Sequence, residues 1–107
     1  MLVVSSSDIH GKEITGTLGL VKGTTVRAHH MISDLIAWMR NAVGGEVHEY
    51  TKILAESREH ALDRMKEEAE AMGADAVVDI RFSTSNIAKG AAEVLVYGTA
   101  VTLKEGH

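Results

Sequence analysis

Apolar residues alternate with polar or small residues in several short segments, which is the period of a β-strand. Residues 14–21, from Ile14 to Val21, predict a first strand. Lys22-Gly23-Thr24 then predicts a turn, and residues 25–28 predict a return strand. Residues 78–82 and 94–103 predict two more strands, separated by a loop through Asn86 and Gly90.

Two other segments have apolar residues at three- and four-residue spacing, which predicts amphipathic helices. The first covers 32–43 and ends at Gly44-Gly45. The second extends from about 47 to 72 and ends at Gly73. At 1.5 Å per residue the second helix is about 39 Å long, whereas a compact domain of this size is only about 34 Å across. The helix is therefore expected to cross the whole subunit or to overhang it, which favours a partner.

Two further features favour self-association. The first helix carries a second apolar row through Leu35, Trp38 and Ala42, which widens its apolar stripe. Part of this stripe faces another subunit, or the sheet of the same chain covers all of it. The last strand is apolar on both faces, so it is either central in the sheet or buried in an interface. Gly98 within this strand indicates a close approach of another part of the protein.

Composition and charge exclude several classes of function. The net charge is −4 and the basic residues are scattered, which argues against nucleic-acid or membrane partners. The absence of cysteine excludes thiol catalysis, iron–sulfur clusters and cysteine-ligated zinc. The start of the chain has no basic region of a signal peptide, and no apolar stretch is long enough to span a membrane, so a cytoplasmic location is predicted. We expect one domain over 1–104 and interpret 105–107 as a tag remnant.

Two ordered sets of residues carry a family resemblance. The first begins with Val26-Arg27 and continues through Asp34, Gly44-Gly45, Tyr50, Leu54, Arg58 and Ala61. The second joins Gly73-Ala74-Asp75-Ala76-Val77-Val78 to Gly98-Thr99-Ala100-Val101. Over about residues 14–103 the chain resembles the YbjQ-like family, which carries the label "putative heavy-metal-binding domain" and has no settled biochemical activity. Asp79 stands where that family has a glycine.

The resemblance implies the fold class and the assembly. The expected fold is α+β in two layers, dodecin-subunit-like, with two helices on one face of an antiparallel sheet. The expected assembly is a ring, either a homopentamer or a pair of pentamers. The predicted function is that of an oligomeric binding or scaffold protein that takes a divalent heavy-metal ion or a small ligand at subunit interfaces.

The histidines supply the candidate metal ligands. His29 and His30 precede Asp34 at the start of the first helix, and imidazole with carboxylate suits zinc, nickel or copper. The alternative is that adjacent histidines on an extended segment point to opposite faces and cannot share one ion. Glu56 and His60, four residues apart on the second helix, are more simply explained as a solvated helix face.

A second candidate group consists of residues that match family positions but are polar among apolar neighbours. Its members are the predicted small-ligand residues Arg27, Asp34, Tyr50 and Arg58. A structural hydrogen-bond network or an ion pair between subunits explains them equally well. No catalytic residues are predicted, because no nucleophile stands beside a base. The alternative function is an enzyme with a composite site between subunits, in which Arg27, Asp34, Tyr50 and His30 would take part.

Overall fold

A computed structural model describes the backbone of residues 1–27, 47–88 and 91–105, and the side chains of residues 1–26, 52–85 and 92–105. These residues form an α+β fold in which one helix packs on a four-stranded mixed sheet. The elements are β1 (Leu2–Val3), β2 (Lys12–Arg27), α1 (Val47–Ala71), β3 (Ala76–Ala88) and β4 (Ala91–Glu105). The predicted helix over 32–43 lies outside the described residues.

The strand order β1-β3-β4-β2 places β4 inside the sheet. The central position predicted for the last strand is therefore confirmed, and it accounts for the apolar character of both faces of β4. The predicted all-antiparallel sheet is wrong at one edge, because β1 is parallel to β3, with Leu2 beside Ala76 and Val3 beside Val77. Two residues are too few to show an alternation in the sequence, so β1 could not be predicted.

The first strand is a single long strand rather than two strands joined by a turn. Pairing with β4 continues through the predicted turn, with Gly23 beside Val96, and reaches Arg27 beside Ala92. Gly23 serves the packing of the helix. A Cβ atom at this position would overlap the carbonyl oxygen of Ala61 and lie 2.6 Å from the amide nitrogen of Met65. The glycine that predicted a turn is in fact a site of close backbone approach.

The hairpin of β3 and β4 is longer than its hydrophobic pattern predicted. The two strands remain paired as far as Ala88 and Ala91, so the strands occupy most of the predicted loop. The segment from Ser83 to Asn86 is polar throughout, which hides the strand period. At Gly98 the predicted close approach is confirmed, since an added Cβ would lie 2.7 Å from Val77 Cγ1 and 2.9 Å from the carbonyl oxygen of Val78.

Helix α1 confirms the predicted long helix and its end. Gly73 has φ 81°, the left-handed conformation that glycine adopts without a Cβ penalty. The amide of Gly73 donates to the carbonyl of Glu70 at 3.0 Å, and the amide of Ala74 donates to the carbonyl of Ala69 at 3.1 Å. Together these two bonds form a Schellman motif, which satisfies the last carbonyls of the helix.

The subunit is longer than its helix. Its principal extents are 57 × 26 × 16 Å and its radius of gyration is 17.2 Å, against about 13 Å for a compact domain of this length. The 25 residues of α1 span about 37 Å, so the predicted overhang is wrong. Strand β2, with 16 residues, accounts for most of the long axis, since a strand rises about 3.3 Å per residue.

Two apolar clusters lie on opposite sides of the sheet. The side covered by α1, called here the helix face, holds the larger cluster of buried residues: Val21, Ala61, Met65, Ala69, Val77, Val94, Val96 and Ala100. The opposite side is called here the open face. One end of the open face holds buried Ala76, Val78 and Val101, and Val4 and Ile9 of the N-terminal segment pack against them.

Candidate functional site

The direction of α1 determines where the candidate ligand residues lie. A Cβ at Gly19 would lie 3.8 Å from Met72 Cε, while Gly23 lies against Ala61 and Met65, so α1 runs antiparallel to β2. Four further strand residues advance the chain by about 13 Å, which corresponds to about nine residues of helix. The end of β2 at Arg27 is therefore level with the first turns of α1. This end of the subunit is called here the connection end.

Three of the four candidate small-ligand residues belong to the connection end. Arg27 is the last residue of β2, Tyr50 lies in the first turn of α1, and Arg58 follows two turns later. The side chain of Arg58 is exposed. The side chains of Arg27 and Tyr50, and the whole of Asp34, lie outside the described residues. The structure thus brings three backbone positions to one end, and their role in binding stays a prediction.

The histidines fall into two groups. The side chains of His10 and His60 are exposed, His10 at a turn before β2 and His60 on α1. The candidate metal ligands His29, His30 and Asp34 lie outside the described residues. Within the described ranges 1–27, 47–88 and 91–105, no group of three His, Cys, Asp or Glu residues is arranged to hold a metal ion.

Two buried polar residues on the helix face were not predicted. Thr25 is only 5% exposed, and its Oγ1 atom has no hydrogen-bond partner in the described part of the chain. Ser57 is fully buried, and its hydroxyl donates to the carbonyl of Ile53 at 2.8 Å. The signal in the sequence was the position of Ser57 four residues before Ala61, on the apolar side of α1. Both residues lie on the part of the helix face toward the connection end.

Hydrogen bonds join the N-terminal segment to an irregular part of strand β3. Asp79 has φ 55°, an unusual value for a residue other than glycine, and the β3–β4 register shifts between Val78 and Arg81. The amide of Asp79 donates to the carbonyl of Ser6 at 3.0 Å, and the hydroxyl of Ser7 donates to Asp79 Oδ1 at 2.9 Å. This conformation gives a physical reason for the glycine that the resembling family has here.

The ion pairs in the described part of the chain join the paired ends of β2 and β4. Lys12 pairs with Glu105, and Lys104 Nζ lies 3.0 Å from Glu13 Oε2. Lys104, Glu13 and Glu105 are more than half exposed, so each pair contributes at most about 1 kcal/mol to stability. These pairs hold strand ends together and do not form a binding site.

The open face carries large exposed side chains beyond the N-terminal segment. Leu20 is 65% exposed, Val26 is 52% exposed and Tyr97 is 39% exposed. Leu95 lies between them and is half-buried. The strand register sets Lys22 and Thr24 between Leu20 and Val26, so the exposed apolar side chains of this face are interspersed with charged and polar ones.

Comparison with known proteins places this fold in a family. A family described as "Putative heavy-metal-binding", YbjQ_1, matches residues 1–104. The chain belongs to this family. The resemblance found in the sequence is therefore confirmed, and the match extends over almost the whole domain.

Relatives from archaea and bacteria carry the name UPF0145 protein. The chain is 52% identical to the UPF0145 protein of Methanosarcina acetivorans over 103 residues, which cover 96% of this chain and 97% of that protein. It is 49% identical to that of Hahella chejuensis over 104 residues, covering 97% and 100%. It is 48% identical to that of Clostridioides difficile over 107 residues, covering 100% and 96%.

A solved structure supports the fold. The chain is similar to the crystal structure of a DUF74-family protein of unknown function from Pediococcus pentosaceus, with a TM-score of 0.63. The superposition covers 97% of this chain and 98% of that chain at 16% sequence identity. At this identity the similarity concerns the fold alone.

The helix was also compared with the requirements of a membrane span. Among the described residues, no helix combines the length and the apolar character that crossing a bilayer requires.

Proposed function

We propose that the protein is a homo-oligomeric binding protein whose subunits form a ring, as a pentamer or a decamer. We propose further that it binds a divalent heavy-metal ion or a small ligand where subunits meet. The observation that carries the assembly is the exposure of large apolar side chains on the open face, where Leu20, Val26 and Tyr97 are 65%, 52% and 39% exposed. The elongated, flat shape, 57 × 26 × 16 Å, provides long surfaces for contact with neighbours.

The connection end is the proposed location of the ligand. Arg27 and Tyr50 lie at this end, and Arg58 of α1 exposes its side chain nearby. His29, His30 and Asp34 follow Arg27 within seven residues in the sequence. Imidazole and carboxylate groups are ligands that zinc, nickel and copper accept. The family description as heavy-metal-binding supports this choice of ligand.

The subunit architecture that we propose is two-layered and dodecin-subunit-like. Helix α1 already forms one layer against the sheet. The predicted helix over 32–43 would supply the second helix of that layer, since it connects the end of β2 to the start of α1.

The assembly is tested by light scattering coupled to size-exclusion chromatography on the untagged chain. We expect a mass close to five or ten times the subunit mass of 11.5 kDa. A single monomeric species at tens of micromolar protein would contradict the proposal.

Metal binding is tested by calorimetric titration with zinc, nickel and copper salts, followed by elemental analysis after gel filtration. We expect the wild-type protein to retain metal and the variant His29→Ala/His30→Ala to lose it. The variant His10→Ala/His60→Ala is the matched control, because it also removes two histidines, both exposed and both outside the proposed set of metal ligands. Retention of equal metal by all three proteins would contradict the assignment of His29 and His30.

A further inference from the structure

A row of two cations and one tyrosine crosses the middle of the open face. Lys22 of β2 and Arg81 of β3 both pair with Tyr97 of β4, so these side chains stand side by side on three neighbouring strands. All three are exposed. Their strand neighbours Val21 and Val96 are buried on the helix face, and successive side chains alternate between the faces of a sheet. Lys22, Tyr97 and Arg81 are called here the basic row.

Neutral acceptors, and not a carboxylate, hold the guanidinium of Arg81. Its Nη1 atom donates to the carbonyl of Ser5 at 3.0 Å and to the carbonyl of Ile80 at 2.7 Å. The acid of β3 is Asp79, whose Oδ1 accepts a hydrogen bond from the hydroxyl of Ser7 at 2.9 Å. Within the described ranges, the positive charge of Arg81 is therefore fixed in place but not neutralised by an ion pair.

The other members of the row and their neighbours add further donors. Lys22 also lacks an ion-pair partner in the part of the chain that the structure describes. Adjacent strands are about 4.8 Å apart, so the backbones of Lys22 and Arg81 are about 10 Å apart, with Tyr97 between them. Both cationic side chains are long enough to lean over Tyr97 and to approach one small ion from two sides. Hydroxyl groups follow in the next row, where Thr24 and Ser83 flank β4.

The surrounding charges favour a small anion over a polymer. Glu93 lies four residues from Tyr97 along β4, which is about 13 Å and exceeds the Debye length of roughly 8 Å at physiological salt. A nucleic acid would extend past the basic row to Glu93 and would meet a chain with a net charge of −4. Exposed acids of α1 lie on the other layer of the subunit: Glu56, Glu59, Asp63, Glu67, Glu68 and Glu70.

We propose that the basic row binds a phosphate-like oxyanion, either free phosphate or the phosphate group of a small ester. Arg81 and Lys22 donate charge-assisted hydrogen bonds to the anion, and the hydroxyl of Tyr97 donates a neutral one between them. This site is separate from the ligand site proposed at the connection end. It does not depend on the ring, since all three side chains belong to one subunit.

Calorimetric titration of the whole chain with inorganic phosphate, at fixed ionic strength, tests the site. Lys22→Gln removes one charge-assisted hydrogen bond, so we expect phosphate to bind about tenfold more weakly. Lys22→Arg keeps the charge and is expected to bind phosphate as the wild type does. Lys52→Gln is the matched control, because Lys52 is exposed on α1 and undergoes the same change of charge. We expect it to leave the affinity unchanged.

The other two members of the row are tested in the same titration. Arg81→Gln is expected to weaken phosphate binding about tenfold, and Tyr97→Phe about threefold, because Tyr97 supplies a neutral hydrogen bond. Lys22→Gln keeps the test decisive if Arg81→Gln loosens the N-terminal segment, since only Arg81 bonds Ser5. Glycerol phosphate is titrated in parallel. Tighter binding than that of inorganic phosphate identifies an ester as the ligand, and equal or weaker binding identifies the free ion.

The outcomes separate this inference from the proposed function. Absence of phosphate binding, or equal affinity in the wild type, Lys22→Gln and Arg81→Gln, would overturn the site while the ligand site at the connection end stands. A loss of phosphate binding in Arg58→Gln in place of Lys22→Gln would move the anion to the connection end. Tighter binding of a single-stranded oligonucleotide than of phosphate would overturn the assignment to a small anion. A monomer that binds phosphate through Lys22 would contradict the ring and support this inference.

Discussion

The two faces of the sheet differ in how much of their side-chain surface is exposed, and two adjacent residues of β2 show this difference. Val21 is 0% exposed on the helix face, whereas Leu20 is 65% exposed on the open face. Close packing on the helix face depends on small residues, because Gly23 lets the backbone of α1 approach the strand at Ala61. On the open face, large apolar side chains such as Leu20 have no such cover from the described residues. The helix face thus holds most of the buried core of the described residues.

The open face itself is divided. One end of the open face is covered by the N-terminal segment, in which Val4 and Ile9 pack against Val78 and Val101. The other end has no such cover in the described part of the chain, and Tyr97 there is 39% exposed. Among the described residues, the N-terminal segment therefore covers the apolar end of this face, whereas the other end mixes exposed apolar side chains with charged ones such as Lys22.

The largest expected effect tests the close packing on the helix face. Gly23→Ala introduces a Cβ that would overlap the backbone of α1 at Ala61, so the helix has to move away from β2. We expect a loss of about 4 kcal/mol in the free energy of unfolding, at the severe end of overpacking effects. Urea unfolding at fixed protein concentration measures this. Gly16→Ala is the control, because its Cβ would approach only a flexible atom, Thr102 Oγ1, at 2.8 Å.

A second experiment compares the two faces directly. Val21→Ala removes two buried methyl groups and is expected to cost about 2.5 kcal/mol, including the cavity left behind. Leu20→Ala removes more apolar surface but from an exposed side chain, so we expect less than about 0.5 kcal/mol at low protein concentration. Both values come from urea unfolding. Equal losses would show that the open face is covered in the free subunit.

The next effect concerns the interior strand. Gly98→Ala places a Cβ 2.7 Å from Val77 Cγ1 and 2.9 Å from the carbonyl oxygen of Val78. Since one of these neighbours is a side chain that can rotate, we expect a smaller loss than at Gly23, about 2 kcal/mol. Thermal unfolding followed by circular dichroism is a suitable measurement. A loss larger than that of Gly23→Ala would show that the close contact at Gly98 tolerates an added methyl group less well than the one at Gly23.

The smallest effect has the opposite sign. Thr25→Val replaces a buried hydroxyl that has no partner in the described part of the chain with a methyl group of similar size. Removal of an unsatisfied polar atom from the helix face is expected to raise the free energy of unfolding by about 1 kcal/mol. Thr24→Val, on the half-buried neighbour, is the control and is expected to change little. A destabilised Thr25→Val protein would indicate that the hydroxyl is bonded.

The hydrophobic periodicity predicted the long helix and strands well, but it predicted the turns between them poorly. Helix α1 and its end at Gly73 followed from a continuous apolar stripe and a glycine stop. Strand β2 was divided in error, because a glycine between polar residues in a strand has the same local signature as a turn. Only the position of Ala61 across from Gly23 shows that this glycine lies within a continuous strand and not in a turn.

The candidate ligand residues were predicted from their residue types and from the family resemblance. The structure adds where their backbone positions lie in the fold, but it adds no contacts between their side chains. Arg27, Tyr50 and Arg58 are separated by up to 31 positions in the chain, yet the antiparallel course of β2 and α1 brings them to the connection end. Thr25 and Ser57 could not be assigned as buried from the sequence, because small polar residues also occur on exposed faces.

The sequence by itself determined the fold class, the long helix and the family, because each of these depends on periodicity, composition or ordered motifs. It limited β4 to the centre of the sheet or to an interface. The tertiary structure alone decided that β2 is continuous, that β1 is parallel to β3, and that an apolar part of the open face stays exposed. The physical reason is that each of these features depends on which residue, distant in the sequence, lies opposite a given residue in the folded protein. A single segment of sequence shows which side chains are apolar, but only packing shows which of them are covered.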